Sequence, residues 1–111
     1  KFLSICLSHQ VLCTYLGFPV SLKEQPNQGT QKEIELFGNT ERVGFYNSYS
    51  GRAKEKSILI NDIGMIEISR DQDTHEIHAL RGENFSSMQF HPESILTEHG
   101  HALLNNFLQL K

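Results

Sequence analysis

The stretch Ser4-Ile5-Cys6-Leu7-Ser8-His9-Gln10-Val11-Leu12-Cys13, residues 4–13, decides how the rest of the chain is read. A short apolar run, Phe2 to Ile5, stops at Cys6 and gives way at once to Ser8, His9 and Gln10. Val11, Leu12, Tyr15 and Leu16 then fall at helical spacing, and Gly17 with Pro19 marks the end of that helix. The unit reads as a strand buried on both faces, a tight turn and a helix. A cysteine at such a turn is exposed on a sharp bend, with the first free N–H groups of the helix aimed at it. Those donors and the helix dipole favour thiolate over thiol. The N–H of Leu7 stands where an oxyanion donor is expected. An inert core cysteine is the competing reading of this stretch taken alone.

Outward from this unit the chain is strand-rich. Pro19 to Leu22 reads as a strand leading into the polar loop Gln25-Pro26-Asn27-Gln28-Gly29. Ile34, Leu36 and Phe37 predict a half-exposed strand, turned by Gly38-Asn39 into a further extended segment through Arg42-Val43-Gly44-Phe45-Tyr46. Residues 50–57 are polar and predict a loop. Met65–Arg70 and His75–Leu80 alternate on either side of Asp71-Gln72-Asp73-Thr74, a hairpin pattern. Phe85 to Phe90 predicts another strand. Leu103, Leu104, Phe107 and Leu108 form the apolar stripe of a closing helix, with Thr97 in the N-cap role. The sum is an α/β domain with a mixed sheet and flanking helices.

A second polar cluster follows the last of these strands. Met88-Gln89-Phe90-His91-Pro92-Glu93-Ser94 places a histidine at a strand exit and a glutamate two residues on, with Pro92 fixing the backbone between them. A carboxylate beside a histidine holds the imidazole in one tautomer and stabilises the imidazolium. A base so oriented, facing a strand-end thiol, is the general pattern of an activated nucleophile. A surface His-Pro-Glu turn without chemistry is the alternative.

The bulk numbers set the class. With 111 residues the chain is at most one domain, and 38% hydrophobic with 21% charged residues is ordinary for a globular protein. A formal charge of −3 argues against nucleic acid, which selects clustered Lys and Arg. No apolar run approaches the ~20 residues that span a bilayer. Cys6 and Cys13, on a strand end and a helix, are poorly placed for a disulfide, so a reducing cytoplasm is expected. The chain opens in a strand already under way, which is expected of the C-terminal piece of something longer.

Ile5-Cys6-Leu7-Ser8-His9-Gln10 resembles the nucleophile elbow of the class I, triad-type glutamine amidotransferases, whose domain is flavodoxin-like. Phe90-His91-Pro92-Glu93-Ser94 is similar to that family's His–Glu segment, and Phe45-Tyr46-Asn47-Ser48-Tyr49 to the segment that contacts glutamine. The resemblance implies Cys6 as nucleophile, His91 as acid and base, and Glu93 as its orienter. It implies that Leu7 N–H and Gln10 meet the bound L-glutamine and that the backbone of Ser48 and Tyr49 holds its amino-acid end. The implied reaction is attack of Cys6 on the side-chain amide, a γ-glutamyl thioester, release of ammonia and hydrolysis to glutamate.

Ser8 stands where the family usually has glycine, and Tyr46-Asn47-Ser48 where anthranilate and aminodeoxychorismate synthases usually have Tyr-His-Ser. With residues 25–32 and His78-Ala79-Leu80-Arg81-Gly82, these point to the phenazine-pathway branch that forms 2-amino-2-deoxyisochorismate. That branch implies a chorismate-using synthase domain as partner, in the same chain or another. It implies a homodimer at full length, magnesium in the synthase domain and no cofactor in this one. The family's Gly-rich oxyanion loop is expected upstream of the elbow strand, with the rest of the domain and the synthase. An anthranilate or aminodeoxychorismate synthase amidotransferase is the alternative within the class, and a non-catalytic docking or regulatory module that keeps the fold is the alternative from outside it.

Other polar residues are expected to be structural. His75 and His78 are read as solvated and on opposite strand faces, and His99 and His101 as solvated. Cys13 is read as core, His9 as making only local hydrogen bonds, and the acidic residues from Glu67 to Glu76 as a solvated hairpin.

Overall fold

The computed structural model describes residues 2–108. Its opening unit is the expected one: β1 (Phe2–Ile5), a bend at Cys6 and α1 (Leu7–Tyr15). The end of α1 is built by Gly17, whose φ of 94° suits a residue without a Cβ. The Gly17 N–H donates to the Thr14 carbonyl and the Phe18 N–H to the Cys13 carbonyl, so the last carbonyls of the helix are satisfied. Phe18 then packs in the same apolar cluster as Cys13.

Eight strands and a helix follow: β2 (Val20–Leu22), β3 (Thr30–Leu36), β4 (Asn39–Phe45), β5 (Tyr49–Gly51), β6 (Ser57–Ile60), β7 (Gly64–Arg70), β8 (Ile77–Arg81), β9 (Phe85–Met88) and α2 (Gly100–Leu108). The main sheet has the order β1-β9-β8-β7-β6. Its single parallel pair is β1 with β9, and the other pairs are antiparallel. The mixed α/β architecture read from the sequence is therefore the observed one. In the parallel pair Ile5 is opposite Met88, so two strands running the same way finish side by side.

The hairpin β3–β4 forms a separate ribbon, paired from Thr30↔Phe45 to Leu36↔Asn39. Both central turn residues have positive φ, Phe37 at 49° and Gly38 at 93°, the turn class whose twist matches that of the flanking strands. Ile34, Leu36, Val43 and Phe45 of the ribbon bury against Ala79, Met88 and Phe90, with Leu103 of α2. A second cluster joins Cys13 of α1 to Ile66, Ile68, Leu80 and Phe85. The sheet is thus covered by the ribbon and α2 in one cluster and by α1 in the other.

Several expectations are corrected. The loop expected over residues 50–57 contains most of β5 and the first residue of β6. Strand β9 ends at Met88 rather than Phe90, and the chain continues through Gln89 N–H to the His78 carbonyl and His91 N–H to the Gly44 carbonyl. Thr97 lies before α2 and is not its N-cap. Its hydroxyl donates to the His91 carbonyl at 2.6 Å and accepts from Gly44 N–H at 2.8 Å. His78 is buried rather than solvated, and His75 sits in the turn before β8 with φ 64°. Glu76 is not freely solvated: it pairs with the buried Lys23 and approaches Arg52 at 3.7 Å. The parts of the closing stripe formed by Phe107 and Leu108 lie outside the described side chains.

Candidate functional site

Cys6 occupies a backbone conformation, φ 55° and ψ −107°, that side-chain-bearing residues rarely adopt. Such strain costs about 1–3 kcal/mol and persists only where the surroundings over-determine it. Here Cys6 N–H donates to the Met88 carbonyl at 2.8 Å, and the Cys6 carbonyl accepts from Gln10 N–H at 3.1 Å. The residue is pinned on one side by β9 and on the other by the first turn of α1. Its sulfur stands at the C-terminal end of β1, the end at which ligands bind in parallel α/β pairs.

Three segments far apart in the chain are joined beside Cys6 by hydrogen bonds, and one of them reaches the sulfur. The Gln89 side-chain amide donates to Cys6 Sγ at 3.7 Å. Gln89 Oε1 accepts from Gln10 Nε2 at 3.1 Å, and the same Gln10 nitrogen donates to the Tyr49 carbonyl at 3.0 Å. That carbonyl also accepts from Asn47 Nδ2 at 2.7 Å, while the Asn47 side-chain oxygen accepts from Asn27. The Ser48 carbonyl accepts from Lys23 N–H at 2.8 Å. Cys6, Gln10 and Tyr49 are thus joined in one chain of hydrogen bonds, with Ser48 adjoining it. Sequence reasoning missed Gln89, which is buried and lies in the segment already singled out for its histidine. Its signal was faint: a polar residue amid Met88 and Phe90 must find partners if it is buried.

His91 and Glu93 form the second half of the site. His91 Nδ1 is 2.7 Å from Glu93 Oε2, so the ring donates that proton to the carboxylate and leaves Nε2 as the acceptor nitrogen. The Glu93 carboxyl lies below its ordinary value. Burial alone would raise it, and the His91 bond, its own backbone N–H and the imidazole charge outweigh that effect. Among the described residues the side-chain partner of Cys6 Sγ is Gln89, and no hydrogen bond runs from the sulfur to His91. The two halves follow adjacent strands, Cys6 after β1 and His91 three residues beyond the end of β9.

The expectation of a resting thiolate is corrected. The Cys6 thiol is pushed above its ordinary value, chiefly by burial. The Leu7 N–H opposes that, the Glu93 charge adds to it and the Gln89 amide opposes it. Cys6 therefore keeps its proton until a base removes it. Cys13 is a buried core thiol, pushed up to about 12 by burial, and both cysteines are free. The expectation that His9 makes only local hydrogen bonds is corrected: it is fully buried, its Nδ1 meets Ser87 Oγ of the distant β9 at 2.5 Å, and that oxygen meets Ser4 Oγ at 2.7 Å. Among the described residues no group of three His, Cys, Asp or Glu side chains is placed to hold a metal ion.

The glutamine amidotransferase class-I family profile matches residues 1–110, and the chain belongs to that family. The chain is similar to a phenazine-specific anthranilate synthase of Pseudomonas fluorescens, 54% identical over 97% of this chain and 17% of that protein. It is 31% identical to aminodeoxychorismate synthase component 2 of Klebsiella aerogenes, over 96% of this chain and 59% of that one. A Thermoplasma acidophilum protein assigned as one of the subunits of GMP synthase has a crystal structure of the same fold. The TM-score is 0.69 at 19% identity, covering 97% of this chain and 55% of that one. The chain thus spans about a sixth of the phenazine-specific relative and three-fifths of the smaller one.

Proposed function

We propose that this chain is the C-terminal part of an amidotransferase domain that hydrolyses glutamine and passes the ammonia to a chorismate-using synthase. In this reading the product is 2-amino-2-deoxyisochorismate, made for phenazine formation. The observation that carries the reading is the pairing of a strained Cys6 at the end of β1 with the His91–Glu93 pair that follows the adjacent β9. The markedly higher identity to the phenazine-specific relative than to the aminodeoxychorismate component supports the branch.

Each residue has a role that its surroundings support. His91, held by Glu93 with Nε2 as acceptor, takes the Cys6 proton as the sulfur attacks the side-chain amide carbon of glutamine. Substrate-free sites often hold such partners apart until the complex forms. Leu7 N–H donates to the oxygen that becomes negative. His91 returns the proton to the departing ammonia, leaving a γ-glutamyl thioester that water hydrolyses to glutamate. Gln10 touches the bound glutamine, and the backbone of Ser48 and Tyr49 holds its amino-acid end. Magnesium belongs to the synthase part, and a homodimer is the expected assembly of the whole protein.

The decisive experiment is Cys6→Ser in the whole protein with its synthase. Glutamine-dependent product is expected to vanish while product made from added ammonia persists, and loss of both would overturn the role given to Cys6. Product analysis with chorismate tests the branch. A non-aromatic aminodeoxyisochorismate supports it, whereas anthranilate with released pyruvate, or aminodeoxychorismate, places the chain with the other synthases.

A further inference from the structure

The His91 imidazole has a weak anchor in Glu93 alone, because that carboxylate side chain is itself 63% exposed. A second support stands against the ring. The Tyr46 ring meets the imidazole nearly edge-on, with centroids 5.1 Å apart and planes at 83°. Its hydroxyl is 2.9 Å from Ser94 Oγ, and that oxygen also accepts Leu96 N–H at 3.1 Å. On another side the ring is backed by chain: a Cβ added at Gly29 would lie 3.2 Å from Tyr46 Cε2. The aromatic ring is therefore held by the backbone at Gly29, tethered at its tip to Ser94 and pressed to the imidazole.

From this geometry we infer that Tyr46 is a positioning residue for His91, with Ser94 as its tether. The inference rests on the function proposed for His91 and deepens it. Tyr46 confines the ring so that Nδ1 stays on Glu93 and Nε2 stays the nitrogen free to take the proton. The backbone beneath is fixed separately, by His91 N–H on the Gly44 carbonyl at 3.0 Å and by Thr97. Loss of Tyr46 should thus free the ring without unfolding its support. Edge-to-face aromatic pairs prefer such a geometry, and losing one is expected to misplace a catalytic group far more than it weakens substrate binding.

The test compares Tyr46→Leu, Tyr46→Phe, Ser94→Ala and the double variant Tyr46→Phe/Ser94→Ala in the intact protein. Turnover on glutamine is read with ¹⁵N NMR of the His91 ring nitrogens. Tyr46→Leu is expected to lower kcat about tenfold with KM held within about twofold, the signature of a lost transition-state interaction. Tyr46→Phe and Ser94→Ala should each lose about threefold, and the double variant no more than either, because both remove one tether. The NMR of the parent should show the Nδ1–H form, and Tyr46→Leu an average of tautomers. Unchanged kcat and unchanged ring signals in Tyr46→Leu overturn the inference, as does a KM rise at constant kcat. Should the parent hydrolyse no glutamine, the functional reading fails while the ring signals still decide the positioning role.

Discussion

His91 and His9 are the same residue type in two opposite settings. His91 lies at the rim beyond β9, partly exposed, with Nδ1 on a carboxylate and its other nitrogen left as an acceptor. His9 lies beneath the elbow with no exposed surface, Nδ1 on the Ser87 hydroxyl and Nε2 3.5 Å from the Cys13 sulfur. His9 stands much closer to Cys6 in sequence, yet it is placed to brace rather than to react. Burial, aided by the charge of His78, holds it down to about 3, so it stays uncharged where an enzyme works. What separates a base from a strut is the partner and the solvent, not nearness along the chain.

The largest effect expected from this contrast is on turnover. His91→Ala should cut Cys6-dependent glutamine hydrolysis by about 10²–10⁴, the range for a general acid–base group. His9→Leu should cost far less per folded molecule, and equal losses in the two variants would erase the distinction. An assay normalised to the folded fraction reads both.

Acid sharpens the contrast next. His9 is held at about 3 and His78 at about 4, both below the ordinary 6.5 and both chiefly by burial. Below about pH 6.5 the unfolded chain takes up these protons and the folded chain does not, so their contribution is complete above that pH. It drains as pH falls toward 4 and then 3, at up to about 1.4 kcal/mol per pH unit for each histidine. Urea midpoints should fall between pH 7 and pH 4.5, and less steeply in His9→Leu. An unaltered slope in His9→Leu would mean that the buried His9 does not carry the acid sensitivity.

The smallest effect belongs to the surface. Arg81 grips Glu67 through two hydrogen bonds of 3.0 and 2.9 Å, but both side chains are about half exposed. Glu67→Gln should therefore shift stability by less than about 1 kcal/mol in a urea titration. A larger loss would mean that rim contacts carry weight this contrast assigns to buried ones.

The opening unit was legible because its signals agree: an apolar run, a polar break, helical spacing and a glycine stop, all realised in β1, Cys6 and α1. The ribbon hairpin, with its turn at Phe37-Gly38 one residue earlier than read, and the hairpin around Asp71–Thr74 were legible for the same reason. What failed lacks local pattern. Strand β5 is three residues, Tyr49–Gly51, held by pairing with β2 across the chain, which no window of sequence reports. Burial of His78 and Glu76 depends on what the ribbon and β2 place over them, with Lys23 supplying a charge from far upstream. Of the site, the placement of Cys6, His91 and Glu93 at neighbouring strand ends could be read. Gln89 could not, because its role appears only when β9 is laid beside β1.

Gly44 closes the matter of tolerance. Its carbonyl accepts from the His91 N–H, its N–H donates to the Thr97 hydroxyl, and a Cβ there would lie 2.7 Å from the Cβ of Leu96. On the outward side of α1, by contrast, Leu7, Val11 and Tyr15 face water. A single methyl at Gly44 would have to displace Leu96 and with it the backbone on which His91 is hung.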